Sequence, residues 1–160
     1  MAQCRYSATG RSHLAAIATY CLASLMIVCS SHALACPIFN KTLQITANDH
    51  VLTAELATDP ASHLCGLAFR NDLPRDHGML FVYARDQFVG FWMKDTSIPL
   101  SIAFLDRDGR ILEIHDMDPL DSTRRYISRS PVRFALEVNR GWFTDNGIGV
   151  GDSLEFDRSR

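Results

Sequence analysis

The sequence predicts a mostly β domain, an antiparallel sandwich or barrel-like fold with one short helix, preceded by a signal peptide. Short runs rich in β-branched and aromatic residues follow one another from Gly78 onwards, at a spacing of roughly 8 to 12 residues. Turn-forming residues separate these runs. A single short helical pattern precedes them, and the first 35 residues have the composition of an export signal.

The export signal has its three parts in the expected order. Arg5 and Arg11 come first, an apolar run occupies residues 14–29, and small residues follow at Ala33-Leu34-Ala35. The apolar run is 16 residues long, whereas a membrane-spanning helix needs roughly 20. A permanent anchor is therefore the weaker interpretation. We predict cleavage after this motif, one domain at residues 36–160, no stable membrane span after cleavage, and an extracytoplasmic location, either periplasmic or secreted.

Cleavage would leave two of the five cysteines, Cys36 and Cys65. Two cysteines in an oxidising compartment can form one disulfide. The alternative is that Cys65 is a buried apolar side chain. A third interpretation is lipid attachment at Cys36, which excludes the disulfide; we favour simple secretion, because the leucine before Cys36 stands one place later than lipoproteins usually have it.

The charge balance argues against two classes of partner. Without the leader the chain has 14 Lys and Arg against 18 Asp and Glu. A mildly acidic, well-mixed surface is not typical of proteins that bind nucleic acid or an anionic membrane.

The domain begins with two short strands, KTLQI and VLTAELA, between Lys41 and Ala57, with a turn around Asn48-Asp49. Asp59 can then cap a short helix whose first residue is Pro60, where the missing amide proton costs nothing. The remaining predicted strands are GMLFVY, FVGFWM, SIAFLD, RILEIHDM, YISRS, RFALEV and SLEF.

Four segments carry a family resemblance: GMLFVY at 78–83, FWMKDTSIPLSIAFLD at 91–106, ILEIHDMDP at 111–119 and RFALEVNRGWFTDNGIGVGD at 133–152. With Gly66-Leu67 and Arg70 they resemble the bacterial and archaeal domain-of-unknown-function family 192 over nearly the whole chain after the leader. The resemblance implies a mostly β, sandwich-like domain with one short helix, often exported, and no established activity. It also implies that asparagine is common where this chain has Asp95.

Two predicted strands suggest a candidate site. Alternation along FWMKDT would place Trp92, Lys94 and Thr96 on one face and Asp95 on the other. Along RFALEVN, alternation sends Phe134, Leu136 and Val138 to the core, and Ala135, Glu137 and Asn139 to the opposite side.

If these strands are neighbours, Lys94 and Glu137 could pair beside Trp92 and form a polar spot in an apolar wall, as in many ligand pockets. We therefore hypothesise a small-molecule or glycan pocket framed by five residues: Trp92, Lys94, Asp95, Thr96 and Glu137. The alternative is that Lys94 extends along Trp92 and Glu137 lies on a solvated face.

No cofactor, metal site or catalytic residue is predicted. Met79, Met93 and Met117 with a histidine could suit Cu(I), yet methionines in apolar strands usually fill the core. Ser101 or Cys65 could in principle serve a hydrolase, but no nucleophile motif surrounds them. The leading interpretation is an exported, non-catalytic binding domain for a small molecule or glycan. An accessory domain that docks on an envelope protein and an enzyme of unknown reaction are the alternatives.

Overall fold

The computed structural model describes Cys36 and residues 41–158; the predicted signal peptide lies outside these residues. Within these described residues the chain forms eight strands and two short helices. Their bounds are β1 Thr42–Ala47, β2 His50–Ala57, α1 Pro60–Cys65, β3 His77–Gln87, β4 Gly90–Phe91, β5 Leu100–Leu105, β6 Ile111–Met117, β7 Tyr126–Ile127, β8 Val132–Asn139 and α2 Trp142–Asp145.

Six strands form one open sheet in the order β1-β2-β3-β8-β5-β6, and β4 pairs with β7 in a separate two-stranded sheet. Within the large sheet all neighbours are antiparallel except β2 and β3, which run parallel. A parallel pair needs a long crossover connection, and α1 with the segment that follows it provides one. The large sheet is therefore open and mixed, whereas the sequence pattern predicted antiparallel pairing.

The six-stranded sheet has an apolar cluster on each face. We call the side covered by α2 and the chain after it the closed face. Its cluster contains Leu43, Ile45, Leu52, Leu80, Leu105, Phe134, Leu136, Val138, Trp142, Phe143, Ile148 and Leu154. We call the opposite side the pocket face. Its cluster contains Leu67, Leu73, Met79, Phe81, Phe91, Met93, Leu100, Ile102, Phe104, Met117, Tyr126 and Ala135.

The short helix α1 begins as the sequence predicts. Asp59 accepts hydrogen bonds from the backbone amides of Ala61 and Ser62, at 3.0 Å each, and Pro60 is the first helical residue. The Ser62 hydroxyl in turn accepts from the Asp59 amide, which completes a capping box. No helix in the described part of the chain is long and apolar enough to cross a membrane.

The mostly β class is confirmed, and three local expectations are wrong. FVGFWM forms a strand only at Gly90–Phe91, and YISRS only at Tyr126–Ile127. SLEF makes single bridges rather than a strand, at Ser153 and Glu155. All three segments lie outside the six-stranded sheet, so no long ladder of hydrogen bonds extends them.

Candidate functional site

A pocket of about 390 Å³ opens on the pocket face of the sheet. Four parts of the chain surround it: the end of α1 with residues 66–68, the strand β3, the chain from Gln87 to Thr96, and Arg125 just before β7. Glu137 of β8 forms the floor of the pocket. The volume lies in the range of small-molecule sites.

Glu137 is a carboxylic acid embedded in the apolar face of the sheet. Only 4% of its surface is exposed, because strand β8 is central and the pocket-face cluster covers this side of it. Burial raises the pKa of Glu137 to about 8, and the positive charge of Arg70 opposes part of that rise. Since that pKa lies above 7, the carboxyl is mostly protonated at neutral pH.

Arg70 is held close to this floor by an ion pair with β2. Its guanidinium donates two hydrogen bonds to the Glu55 carboxylate, with N–O distances of 2.6 and 2.7 Å. This fork geometry fixes the orientation of the guanidinium. Arg70 thus supplies a fixed positive charge beside Glu137, and that charge favours the ionised form of the carboxyl.

Aromatic side chains form one wall. The Phe81 ring contacts Phe91 edge-on, with centroids 4.8 Å apart, and the His63 ring lies 4.8 Å from Tyr83. Burial and the nearby charge of Glu137 both raise the pKa of the Tyr83 phenol, so it stays neutral. The Nε2 atom of His63 lies 2.9 Å from the Ala57 carbonyl oxygen, so that nitrogen carries a hydrogen and donates it.

Two cations stand on the rim around Trp92. The Arg125 guanidinium carbon lies 3.9 Å from the centre of the indole ring, and the Lys94 Nζ lies 5.4 Å from it. Such contacts stabilise a cation by about 0.5–1 kcal/mol at exposed positions. Trp92 remains 37% exposed. The rim is therefore positively charged, whereas the floor carries an acid.

Two loops that frame the pocket are tied to each other. The Phe69 amide donates to the Asp95 carbonyl oxygen at 2.8 Å, and the Ser97 hydroxyl donates to the Arg70 carbonyl oxygen at 2.9 Å. Asp95 has φ +59°, a left-handed conformation that asparagine and aspartate tolerate better than most residues. Asp95 lies in the turn at residues 94–95, which follows β4.

Gly66 brings the backbone against the floor. Its φ is +51° and its ψ is −133°, and a Cβ atom there would lie 3.3 Å from the Phe81 ring and 3.8 Å from the Glu137 Oε2 atom. Residues other than glycine rarely adopt this backbone conformation. Glycine at this position keeps the space above the carboxyl open.

The structure brings together four of the five site residues expected from the sequence: Trp92, Lys94, Thr96 and Glu137 line this pocket, and Asp95 does not. The expected strand geometry is wrong, however. Residues 92–96 lie outside any strand, with a turn at residues 94–95, and β4 pairs with β7, so Lys94 and Glu137 are not cross-strand neighbours. The expectation that Glu137 lies on a solvated face is also wrong, since a second apolar layer covers it.

Sequence reasoning missed several residues that shape the pocket, chiefly His63, Tyr83 and Arg125. They come from α1, β3 and the chain before β7, which are far apart in sequence. The sequence did single out Arg70, because Arg70 is among the positions that carry the family resemblance. No local pattern distinguishes the other three from surface residues.

The remaining chemical candidates are structural in this fold. Ser101 is 1% exposed; its hydroxyl donates to Asp116 at 2.5 Å and accepts from the Gly141 amide at 3.0 Å. Met79, Met93 and Met117 are fully buried in the pocket-face cluster. Among the described residues, no three His, Cys, Asp or Glu side chains are grouped so as to hold a metal ion.

Cys65, at the end of α1, lines the pocket and is bonded to Cys36, with 5.7 Å between their Cα atoms. This separation is typical of a disulfide. The bond ties the start of the predicted mature chain to the pocket wall, as the sequence had suggested for these two cysteines.

Comparison with known proteins places the chain in a family without an assigned activity. The model of DUF192, described as an uncharacterised ACR family, matches residues 42–156. A comparison with curated proteins gave no match.

Two crystal structures are similar. One is of a Sinorhizobium meliloti 1021 protein proposed to be a transcription regulator: identity is 37%, the TM-score is 0.68, and the match covers 73% of this chain and 93% of that one. The other is of a protein of unknown function from Novosphingobium aromaticivorans DSM 12444, with 32% identity, a TM-score of 0.64, and coverage of 71% and 83%. Because the family model matches more than half of the chain, the chain belongs to the domain-of-unknown-function family 192.

Proposed function

We propose that this protein is an exported, non-catalytic binding domain that holds a small organic molecule or a short glycan in the pocket above Glu137. The observation that carries the proposal is the buried carboxyl at the floor of an open pocket. Burying an acid in an apolar layer costs free energy. If this position served packing alone, an apolar side chain would stabilise the fold more than the acid does.

The lining supports this proposal because it combines apolar walls with a few polar groups. Phe81, Phe91 and Tyr83 offer ring surface, while Glu137 at the floor and Lys94 at the rim offer hydrogen-bonding groups. This mixture is typical of small-molecule sites, in which apolar contact provides affinity and a few polar groups orient the ligand.

Binding is favoured over hydrolysis by the state of the two nucleophiles that the sequence offered for it, Cys65 and Ser101. Cys65 is engaged in a disulfide, and the buried hydroxyl of Ser101 is held between Asp116 and the Gly141 amide. An acyl-transfer site needs a nucleophile that can reach the substrate, with a base in hydrogen-bond range. Neither side chain meets that requirement.

Export is supported by two independent features, the leader pattern in the sequence and the bond between Cys36 and Cys65. Disulfides persist in oxidising compartments and are rare in the cytosol. Intact mass of protein collected from the periplasm or medium should show the chain beginning at Cys36 and should rise by two hydrogens on reduction. A lipid adduct on Cys36 would contradict this part of the proposal.

Thermal shift on residues 36–160 with its disulfide intact tests the binding proposal. Neutral mono- and disaccharides, amino compounds and organic acids form the panel. A ligand that binds only the folded state raises the melting temperature, and the increase should disappear in Glu137→Gln. The control is Glu155→Gln, because Glu155 is exposed and outside the pocket. If no compound gives a Glu137-dependent shift, the proposal fails.

Docking on an envelope protein is the second candidate. The observation that favours it is the exposed apolar rim of the same pocket, where Leu64 and Phe88 are 68% and 63% exposed. Exposed apolar side chains clustered at one place are typical of interaction sites. Loss of partner capture in a Leu64→Ser, Phe88→Ser double variant, with Glu137→Gln still capturing the partner, would favour docking over ligand binding.

A further inference from the structure

We infer that the pocket takes an amino-acid-like zwitterion, with its ammonium group on the Glu137 carboxylate and its anionic group at the rim between Arg125 and Lys94. This inference rests on the proposed function and specifies its ligand. Three arrangements carry it: the acid at the floor, the rings beside the acid, and the cations at the mouth.

The floor favours a ligand that brings a positive charge. Burial raises the pKa of Glu137, and the charge of Arg70 opposes only part of that rise. An ammonium group that reaches the carboxyl supplies both a donor and an opposite charge, and so offsets the cost of ionising a buried acid. A neutral hydroxyl can bond to the protonated acid but does not offset that cost.

The aromatic walls of the pocket also favour an ammonium group. The rings of Phe81 and Tyr83 line the pocket together with Glu137, and the electron-rich face of an aromatic ring attracts a cation. Phe91 extends this surface and offers contact to an apolar part of the ligand. The Nε2 atom of His63 does not accept a hydrogen bond from the ammonium group of the ligand, because that nitrogen donates to the Ala57 carbonyl oxygen.

The mouth selects against a simple cation. Arg125 and Lys94 both stand over Trp92 at the rim, so an approaching ligand first meets two positive charges. An anionic group would bind there, and its attraction would also steer the ligand in. The order of groups from floor to mouth, an acid that can ionise and then two cations, matches a zwitterion that enters amine first.

Binding should be coupled to proton release, because the ammonium requires the ionised carboxyl whereas the empty pocket holds it protonated below about pH 8. Affinity should therefore increase about tenfold per pH unit from pH 6 to 7 and level off above pH 8. Several other titratable or charged groups face the pocket or Glu137: His63, Arg70 with its partner Glu55, Tyr83, Lys94 and Arg125. Of these, His63 is the group that needs a control.

Three probes with one skeleton separate the charges: phenylalanine has both, phenethylamine lacks the carboxylate, and 3-phenylpropionate lacks the amine. Isothermal titration at pH 6, 7 and 9 should show phenylalanine binding most tightly, phenethylamine at least tenfold more weakly, and 3-phenylpropionate not at all. Glu137→Gln should abolish phenylalanine binding, and Arg125→Ala should weaken phenylalanine but not phenethylamine. His63→Gln should keep the pH dependence.

The inference is overturned if 3-phenylpropionate binds as tightly as phenylalanine, if phenylalanine does not bind, or if His63→Gln rather than Glu137→Gln removes the pH dependence. A Glu137-dependent melting shift with neutral sugars, and none with phenylalanine, would overturn the zwitterion while leaving the proposed binding function intact. Failure of every compound in both sets would overturn both. The melting temperature of Glu137→Gln without ligand shows that this variant is folded.

Discussion

The two faces of the six-stranded sheet differ at adjacent positions of one strand. On β8, Leu136 points into the closed face and is fully buried among apolar side chains. Glu137, the next residue, is equally hidden on the pocket face. The closed face has α2 and the chain after it as a continuous cover, whereas the cover of the pocket face leaves an opening above the acid. A layer built only for stability has no use for a carboxyl at its centre, and this contrast is the reason that we propose the pocket face as the binding face.

The largest effect should come from Glu137→Gln and should depend on pH. The folded-state pKa of Glu137, about 8, is raised above the ordinary value of 4.5. Folded protein therefore retains a proton that unfolded protein releases, and the wild type loses stability as pH rises from about 4.5 to about 8. The loss is about 1.4 kcal/mol per pH unit. The glutamine side chain of the variant cannot ionise, so the variant should gain about 4 kcal/mol relative to wild type between pH 5 and pH 8.

Urea unfolding at pH 5, 6, 7 and 8 measures this difference. Glu155→Gln is the matched control, because its carboxyl is exposed, and it should follow the wild-type profile at every pH. If the free energies of unfolding of Glu137→Gln and wild type differed by the same amount at every pH in this range, the acid would not be buried in the folded state.

Leu136→Ala tests the closed face at the neighbouring position. Its side chain is completely buried, so truncation should cost about 3 kcal/mol through lost apolar contact and a residual cavity. The cost should be the same at pH 5 and pH 8, since no titratable group is removed. Leu120→Ala, at a site 63% exposed, should change stability by less than about 0.5 kcal/mol. Equal costs at the two sites would contradict the assignment of Leu136 to a packed layer.

Gly66→Ala should have the smallest of the three effects, about 2 kcal/mol of destabilisation. The strain arises because φ is positive at this residue and the new Cβ atom would lie 3.3 Å from the Phe81 ring. The variant should also bind any pocket ligand more weakly, because the methyl group approaches Glu137 Oε2. Gly149→Ala is the control, since nothing lies within 4 Å of a Cβ atom there. Chemical unfolding of both proteins measures the difference, and undiminished stability of Gly66→Ala would show that this loop relaxes freely.

The sequence by itself determined the elements whose signals are local. The helix start at Asp59-Pro60 follows from capping chemistry, and β1, β2, β3, β5, β6 and β8 follow from strand periodicity. It also identified Trp92, Lys94, Thr96 and Glu137, because large apolar groups and charges alternate in their two segments. Cys36 and Cys65 could be paired because they alone remain after the leader.

Only the tertiary structure decided which face of β8 is open and how deeply Glu137 is buried. Alternation gives two sides of a strand, but whether a side meets water depends on cover from distant segments, here the chain after α1 and the β4–β7 pair. The same dependence explains why residues 92–96 form no strand despite their strand-like composition. It also explains why the charge of Arg70, rather than that of Lys94, acts on the pKa of Glu137, since packing across the whole chain sets which charges lie near a buried group.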